Sequence, residues 1–190
     1  MDLKDSKTEK NLLAAFAGES QARNRYTFFA KAAQKDGYEQ IAELFLETAE
    51  NEKQHAKQFF QFLKGGVVEI NASFPAGIIG STLENLKTSS EGEHEEWSKL
   101  YVDAAEIARE EGFNEIASKF DFVAKIEKHH EERFIKLFQN IQGDLVFKKG
   151  NEVAWICKKC GYIHIGKEAP KTCPVCKHPQ SYFELNKANF

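Results

Sequence analysis

The sequence has no long apolar run, little net charge and no run of basic residues. Its apolar segments fall well short of the roughly 18 residues that a membrane-spanning helix needs, and the chain is charged from Asp2 onward. We therefore expect neither a signal peptide nor a membrane span, and a cytoplasmic location follows as the default. The formal net charge is -3, and lysines and arginines are not interleaved with aromatic residues, which argues against nucleic acid as a partner.

Cysteine is scarce and confined to one part of the chain. All four cysteines lie between Cys157 and Cys176, and none occurs before them. Such clustering favours a metal site over a disulfide framework. With 190 residues, of which 42% are hydrophobic and 29% charged, the chain can bury one full core and carry one small appendage.

The segment from Gly37 to Lys64 carries an apolar stripe at helical spacing, and two ionisable residues lie inside it. On a helix, the side chains of Glu52 and His55 point the same way. Burying an ionised carboxylate is so costly that Glu52 needs a hydrogen bond, an opposite charge or a metal ion. The stripe covers an arc of roughly 100° and consists of Ile41, Leu44, Phe45, Thr48, Glu52, His55, Phe59, Phe62 and Leu63.

The same pattern occurs a second time from Gly112 onward. Glu127 and His130 take the places of Glu52 and His55, again within an apolar stripe. One Glu-x-x-His motif is common by chance, whereas two on the core faces of repeated helices indicate a shared purpose. The matching positions are Gly37-Tyr38, Ile41-Ala42, Phe45, Ala49, Glu52 and His55 in the first copy, and Gly112-Phe113, Ile116-Ala117, Phe120, Ala124, Glu127 and His130 in the second.

Capping and stop signals divide residues 1–143 into four helices. Short turns join the first helix to the second and the third to the fourth, whereas residues 67–80 form a long crossover. This predicts an all-α antiparallel four-helix bundle of two repeated hairpins. The predicted helices are A from Ser6 to about Lys35, B from Gly37 to Lys64, C from about Ser81 to Gly112, and D from about Phe113 to Gln142.

Helices A and C each add a lone acid to the predicted core. Glu19 lies on the inward face of helix A, and Glu93 is its counterpart in helix C. Each acid is followed by a tyrosine, Tyr26 or Tyr101, but the interval in helix C is one residue longer, which implies one slipped residue there. The predicted buried arc of helix C contains Leu86, Glu93, Trp97, Leu100, Ala104 and Ile107, with Glu96 at its edge.

A Glu from each of two helices and a Glu-x-x-His pair from each of the other two form the ligand set of a carboxylate-bridged dinuclear metal site. Taken singly, such a glutamate is more often a boundary residue and such a histidine a hydrogen-bonded core residue. Taken together they favour metal, because the alternative places four uncompensated acids in one core. Glu96, whose repeat counterpart is Ala22, is a seventh candidate. The candidate ligands are Glu19, Glu52, His55, Glu93, Glu96, Glu127 and His130.

The remaining aromatic and histidine residues near these motifs are less informative. Tyr26 and Tyr101 are either plain core aromatics or hydrogen-bond donors to the ligand carboxylates. His94 and His129 point away from the stripes and are predicted to lie on the surface.

Composition changes after Gly143. Residues 144–153 are predicted to be a linker, and residues 154–190 carry two Cys-x-x-Cys pairs in a segment too short to build a core without a metal. Such pairs predict a tetrahedral four-sulfur site. Spacing alone does not choose between iron and zinc, and by itself favours a structural zinc ribbon. The ligands are Cys157, Cys160, Cys173 and Cys176.

These motifs together resemble the rubrerythrin family, in which a ferritin-like di-iron bundle precedes a small β-rich rubredoxin-like domain. The resemblance covers essentially the whole chain and implies iron at both sites: two non-haem irons in the bundle and one in the Fe(Cys)4 site. It implies domains at residues 1–143 and 154–190. The matching segments are Gly18-Glu19-Ser20-Gln21-Ala22, Glu52-x-x-His55, Gly92-Glu93-His94-Glu95-Glu96-Trp97, Glu127-x-x-His130, Cys157-x-x-Cys160-Gly161-Tyr162 and Cys173-Pro174-x-Cys176-x-His178-Pro179.

The resemblance also implies a function, a peroxidase that defends the cell against oxidative stress. Hydrogen peroxide would be reduced to water with one electron from each iron. Glu52 and Glu127 would bridge the irons and the other candidates would be terminal ligands. On reduction, one iron would exchange Glu96 for His55, since a ferric ion prefers the harder carboxylate. The residues predicted to take part in the reaction are Glu96, His55, Tyr26 and Tyr101.

The Fe(Cys)4 centre would relay electrons to the di-iron site. Because the sequence has no nucleotide-binding fingerprint, the electrons would come from an external NAD(P)H-dependent reductase or a rubredoxin-type donor. In this family the relay is thought to work between subunits, which implies at least a homodimer. Two other functions stay open: a ferroxidase or iron-storage protein, and a protein-docking module held by a zinc ribbon.

Overall fold

The computed structural model describes residues 2–187 and consists of a helical bundle followed by a small sheet. Three consecutive segments, α3, a π-helix and α4, form the predicted third helix of the bundle. The four-helix bundle with a small β-rich metal-binding part is therefore confirmed. The helices are α1 Lys7–Lys35, α2 Glu39–Phe60, α3 Thr82–Glu95, the π-helix Glu96–Leu100, α4 Tyr101–Glu110 and α5 Asn114–Gln142; the strands are β1 Lys148–Cys157, β2 Ile163–Glu168 and β3 Phe183–Leu185.

Local signals set the helix ends. The Ser6 hydroxyl accepts a hydrogen bond from the Glu9 N–H at 3.0 Å, and Ser81 with Glu84 forms a capping box at the start of α3. Gly37 and Gly112 have φ values of 87° and 84° in the two hairpin turns. This left-handed conformation suits glycine, so each hairpin can reverse within a few residues.

Helix α2 ends at Phe60, before the predicted end at Lys64. The N–H groups of Phe62 and Leu63 bond to carbonyls three residues back, at 3.3 and 3.1 Å, which tightens the last turn out of α-helical geometry. Gly65 and Gly66 then both take positive φ values of about 90°. The helix therefore unwinds just before the crossover at residues 67–80.

The predicted third helix differs from a regular helix at its centre. Residues Glu96–Leu100 form a π-helix, in which one extra residue is accommodated per turn. None of these five residues is buried. The prediction that Trp97 and Leu100 face the core is therefore wrong, and Leu100 is 47% exposed. The extra residue rotates the following helix, which buries Tyr101, Ala104, Ala105 and Ala108.

Two apolar clusters fill the bundle, one on each side of its middle. The first contains Leu12, Phe59, Tyr101 and Phe120. The second contains Tyr26, Phe45, Leu86 and Phe134. Because residues 19, 52, 93 and 127 lie between these positions along their helices, any site that they form is closed by apolar layers above and below.

The carboxyl-terminal part is a three-stranded antiparallel sheet in the order β2-β1-β3. Strand β1 begins at Lys148, so the prediction that residues 144–153 are all linker is wrong in its second half. Lys148 pairs with Glu168 and Val153 with Gly166, with an irregular register between them. Residues 148–153 form a strand because they pair with β2, and a local sequence pattern does not reveal such a partner. Residues 188–190 of the predicted domain lie outside the described residues.

The small carboxyl-terminal part packs against the start of α2, and an ion pair and a ring stack are among its contacts. The Lys158 ammonium lies 2.6 Å from a Glu43 carboxylate oxygen and 2.7 Å from one of Glu184. The rings of Tyr38 and Phe147 stack with centroids 6.1 Å apart. No helix within the described residues combines the length and apolarity that crossing a membrane demands.

Candidate metal centres

The bundle brings six of the seven predicted bundle ligands together between its two apolar clusters. Helices α1 and α3 each supply one glutamate, and helices α2 and α5 each supply a Glu-x-x-His pair. All six residues are buried, and His55, the most accessible, is only 6% exposed. The six are Glu19, Glu52, His55, Glu93, Glu127 and His130.

The six side chains form two overlapping groups of potential metal ligands. One group adds Glu19 and His55 to the shared pair Glu52 and Glu127, and the other adds Glu93 and His130 to the same pair. Within each group the ligand atoms lie within 4.8 Å of one another. Two centres that share two carboxylates form the geometry of a carboxylate-bridged dinuclear site.

Both imidazoles direct their Nδ1 atoms at the shared carboxylates. The His55 Nδ1 atom lies 2.8 Å from a Glu127 oxygen and 2.9 Å from a Glu52 oxygen. The His130 Nδ1 atom lies 2.7 Å and 3.3 Å from the other oxygens of these two residues. The Nε2 atom of His130 lies 3.2 Å from the Asn51 amide oxygen, which fixes the ring so that Nδ1 is the metal-facing atom.

Apart from the two imidazoles, the centre of this cluster lacks hydrogen-bond donors. Within residues 2–187, no hydrogen bond of acceptable geometry reaches either oxygen of Glu52 or of Glu127, or either histidine Nδ1 atom. Ionised carboxylates buried in this way are costly unless they are paired or bound to a metal. Carboxylate oxygens and imidazole nitrogens are ligands that suit iron, and two cations at the centre would satisfy every one of these atoms.

Two tyrosines donate hydrogen bonds to the lone glutamates Glu19 and Glu93. The Tyr101 hydroxyl donates to Oε1 of Glu19 at 2.5 Å, and the Tyr26 hydroxyl donates to Oε1 of Glu93. The Oε2 atom of each glutamate has no hydrogen-bond partner in the part of the chain that the structure describes. The two tyrosines, whose role the sequence leaves open, thus combine a buried ring with a hydrogen bond that orients a ligand carboxylate.

Before metal binds, several side chains of this cluster hold protons, because their pKa values are raised. Burial, followed by the charge of Glu52, raises the pKa of Glu93 to about 8. Burial and the neighbouring acids also raise the pKa of Glu19. Burial lowers the pKa of His55, but the carboxylates of Glu127 and Glu52 outweigh this and raise it to about 9. Metal ions that enter the site must therefore displace protons.

Iron affinity should consequently depend on pH. Below pH 8 a proton occupies Glu93, and below pH 9 one occupies His55, so the apparent Fe(II) affinity should rise as the pH increases from 6 to 8. The expected slope is up to about tenfold per pH unit for each proton displaced. Competition with a chelator of known affinity measures it, and Glu93→Gln should have a shallower slope. An affinity independent of pH would contradict this account.

Glu96, the seventh predicted ligand, lies at the edge of the cluster. It is half-buried at the start of the π-helix and belongs to neither group of four. Burial, followed by the charges of Glu93, Glu127 and Glu52, raises the pKa of Glu96 well above its usual value, and the Arg25 charge partly opposes this. The structure thus brings Glu96 near the six ligands without including it among them.

Some polar residues around the site, Asn51 and Glu131 among them, have no signal in the sequence. The Trp97 indole N–H donates to Glu131 at 2.5 Å, and the His94 Nδ1 atom lies 3.0 Å from the other oxygen of Glu131. These contacts fix the π-helix to α5 beside His130. No local pattern marks Asn51 or Glu131, since both are ordinary polar residues of a helix. His94 is exposed, and so is His129, as predicted.

The four cysteines form a second cluster. The sulfur atoms of Cys157 and Cys176 are 3.7 Å apart, and those of Cys160 and Cys173 are 3.6 Å apart. A tetrahedron with metal–sulfur bonds of about 2.3 Å has edges of about 3.8 Å, so all four sulfurs can bind one ion. No disulfide joins them. Cys160 is exposed, whereas Cys157 and Cys173 are buried.

Both parts of the chain, the helical bundle and the small carboxyl-terminal sheet, match known families. The family model described as Rubrerythrin matches residues 10–138, and the model described as the rubredoxin-like domain of rubrerythrin matches residues 155–184. The chain is 60% identical to a rubrerythrin of Porphyromonas gingivalis over 99% of this chain and 94% of that protein. It is 52% identical to a rubrerythrin of Nitratidesulfovibrio vulgaris over 99% of this chain and 98% of that protein.

Solved structures agree with these matches. A mixed-valent nigerythrin superimposes with a TM-score of 0.63 at 33% identity, covering 96% of this chain and 90% of that chain. A bacterioferritin of Desulfovibrio desulfuricans superimposes with a TM-score of 0.65 at 17% identity, covering 73% of this chain and 82% of that chain, which shows a shared fold. The carboxylate–histidine cluster of the bundle and the four-cysteine cluster correspond to the di-iron site and the rubredoxin-like iron site of this family. The chain therefore belongs to the rubrerythrin family of iron-containing oxidoreductases.

Proposed function

We propose that this protein is a peroxidase that reduces hydrogen peroxide to water at the bundle site, with electrons relayed through the four-sulfur iron. One observation supports this above all: a single chain combines a buried six-ligand cluster with a four-sulfur site that has an exposed edge at Cys160. A store for iron needs no dedicated electron relay, and a docking module needs no buried cluster of acids. The four-sulfur site holds both oxidation states of iron in one geometry, which suits rapid electron transfer.

The six ligands of the bundle site divide into two that both irons would share and four that would each bind one iron. We assign Glu52 and Glu127 as bridging ligands, because both belong to the two groups of four. Glu19 and His55 then complete one centre, and Glu93 and His130 the other. When bound and reduced, the two irons supply the two electrons that peroxide reduction requires.

The protein around the ligands controls orientation and water. Tyr26 and Tyr101 each hold one oxygen of a ligand carboxylate, Glu93 and Glu19 respectively, which restricts how that carboxylate can turn. The apolar clusters on both sides exclude bulk water, which strengthens each electrostatic interaction inside the site. Both effects keep the ligands in place while the charge of the site changes.

Glu96 and His55 form the pair that we propose to exchange with the oxidation state of one iron. A ferric ion prefers the carboxylate, whereas a ferrous ion accepts the imidazole more readily. Besides burial, the Glu96 charge raises the pKa of Glu19, and the charges of Glu93, Glu127 and Glu52 raise the pKa of Glu96, so Glu96 lies within electrostatic reach of both groups of four. Within residues 2–187 its side chain makes no hydrogen bond or ion pair, although its backbone is bonded within the helix, and this leaves the carboxylate able to move.

Replacing Glu96 by alanine should separate these roles. We expect Glu96→Ala to bind two irons in the bundle, since the six other ligands remain, but to react with peroxide at least about tenfold more slowly. Iron analysis and stopped-flow oxidation of the reduced protein measure the two effects. Glu91→Ala, at an exposed position of α3, is the matched control. If Glu96→Ala reacts at the normal rate with normal iron content, Glu96 has no part in the reaction.

The electron donor, the assembly and the location belong to the same proposal. We propose an external NAD(P)H-dependent reductase or a rubredoxin-type protein as the donor, and a homodimer as the working unit. Val67, Ile78 and Ile79 of the crossover are 100%, 81% and 59% exposed, which supports burial of this segment in an assembly. The free cysteines suit the reducing cytoplasm, where we place the protein.

Stopped-flow absorbance tests the proposed reaction. The iron-loaded protein is reduced chemically without oxygen and mixed with hydrogen peroxide or with oxygen, and the colour of the four-sulfur iron is followed. Fast return of the oxidised colour with peroxide and slow return with oxygen would support a peroxidase. A faster reaction with oxygen, together with a large hollow oligomer in light scattering, would instead indicate a ferroxidase or iron store.

A further inference from the structure

A cavity of about 350 Å³ lies beside the di-iron site. Helix α1 and the π-helix form its walls, and residues 72–75 of the crossover cover it. Its volume lies within the range of about 300–1,000 Å³ that is usual for small-molecule sites. A water molecule occupies only about 30 Å³ in the liquid, so this space far exceeds what hydrogen peroxide needs.

The cavity reaches the metal site through two residues. Glu96 and Tyr101 line it. Tyr101 donates its hydroxyl to the ligand Glu19, and the charge of Glu96 acts on Glu93 and Glu127. A molecule in the cavity would therefore lie next to the ligands of the irons.

Two glycines in the middle of helices keep the cavity open. Gly18 of α1 and Gly92 of α3 are repeat counterparts, and both line the cavity. Glycine weakens a helix interior, so its presence at both positions needs another reason. A Cβ atom at Gly92 would meet no atom within 4 Å, and one at Gly18 would meet only the Phe74 ring at 3.8 Å. Larger side chains at either position would project into free space beside the site.

The lining has an apolar part and a polar end. The polar end contains Arg25, whose buried Nη1 atom has no hydrogen-bond partner within residues 2–187, together with Glu96 and Tyr101. A buried guanidinium nitrogen without a partner is an available donor for an oxygen atom of a ligand. The apolar part consists of Ala14, Ala15, Phe74, Pro75, Leu100 and Phe120.

We propose that this cavity binds organic hydroperoxides, which are a second class of substrate for the di-iron site. The alkyl or aryl group occupies the apolar part, and the hydroperoxide group lies at the polar end, where Arg25 donates to an oxygen. This inference rests on the proposed peroxidase function. The O–O bond of ROOH breaks as it takes up the two electrons of the reduced site, and two protons complete the products, an alcohol ROH and water.

The test compares two oxidants and two variants. Reduced, iron-loaded protein is mixed with hydrogen peroxide or with cumene hydroperoxide in a stopped-flow instrument. Gly92→Leu fills the cavity and should slow the reaction with cumene hydroperoxide by at least about tenfold, with a much smaller effect on hydrogen peroxide. Lys87→Leu adds the same side chain at an exposed position of α3 and should change neither rate.

Binding provides a readout that needs no turnover. Titration calorimetry with cumyl alcohol, the product of cumene hydroperoxide, should show one saturable site on the oxidised wild-type protein that is lost in Gly92→Leu. This measurement on the wild type also decides the matter if the variant fails to fold. Oxidation by hydrogen peroxide alone, with no binding of cumyl alcohol, would overturn this inference and leave the proposed function intact. Oxidation by neither peroxide would overturn both.

Discussion

Replacing Glu52 by glutamine is expected to remove iron from the bundle and with it the reaction with peroxide. Glu52 belongs to both groups of ligands, and its two oxygens lie 2.9 Å from the His55 Nδ1 atom and 3.3 Å from the His130 Nδ1 atom, so one substitution affects both metals. Glutamine keeps the size of the side chain but loses the charge. Losing a residue that merely orients a ligand costs about 10- to 100-fold, so losing a shared ligand should exceed 100-fold in the rate of oxidation by peroxide.

A nearby acid supplies the control for this experiment. Glu50 lies on the same helix, is exposed and pairs with Lys53 and Arg23 on the surface. Such exposed surface pairs contribute little to stability, so Glu50→Gln should keep two irons in the bundle and the normal rate. Iron analysis and stopped-flow kinetics compare the variants. Two irons retained by Glu52→Gln at full activity would contradict the assignment of Glu52 as a shared ligand.

Replacing Cys160 by serine is expected to separate electron supply from peroxide reduction. The four-sulfur site loses one thiolate and with it the characteristic colour, because a serine hydroxyl is a much weaker ligand for iron than a thiolate. Turnover that draws electrons from a reductase should fall to the background. The bundle site keeps all of its ligands, so a single oxidation of chemically reduced Cys160→Ser by peroxide should proceed at the wild-type rate.

The same variant also tests how the small domain is held together. Within residues 2–187, the buried centre of this domain consists of Trp155, Cys157, Ala169, Cys173 and Phe183, too few residues to stabilise a fold without metal. Loss of iron should therefore expose Trp155, which circular dichroism in the near ultraviolet and fluorescence both report, while the helical signal of the bundle persists. Reductase-linked turnover that survives in Cys160→Ser would show that electrons reach the di-iron site by another route.

The internal repeat accounts for how much of the site was predictable from the sequence. Two Glu-x-x-His motifs at the same phase of two apolar stripes are enough to infer convergence, because a helix places side chains three residues apart on one face. The lone acids Glu19 and Glu93 followed from the same repeat. Their burial and the two overlapping groups of ligands agree with that inference.

The π-helix shows where the argument from regular periodicity fails. A constant rotation per residue placed Leu100 in the core, although the longer interval between Glu93 and Tyr101 already implied an inserted residue. The insertion restores Tyr101 to the inward face, where it reaches Glu19. It also leaves Glu96 at the edge of the cluster, and Glu96 is the one candidate ligand whose counterpart in the other hairpin, Ala22, is not an acid.

Other features have no local signal at all. Strand β1 begins at Lys148 because of pairing with β2, whereas the local sequence of residues 148–151 indicates a linker. Arg25, Asn51 and Glu131 are common polar residues on helices, and only the packing of α1, α3 and α5 around them gives them partners or a cavity. Long-range contacts of this kind require the folded chain.

Freeze-quench Mössbauer spectroscopy of protein loaded with 57Fe tests the central claim most directly, since it distinguishes the carboxylate-bound irons from the four-sulfur iron. The fully reduced protein is mixed with one equivalent of hydrogen peroxide and frozen at successive times. We predict that both irons of the bundle become ferric first and that the four-sulfur iron follows as it passes its electron on. Oxidation of the four-sulfur iron while the bundle irons stay ferrous throughout would contradict the account.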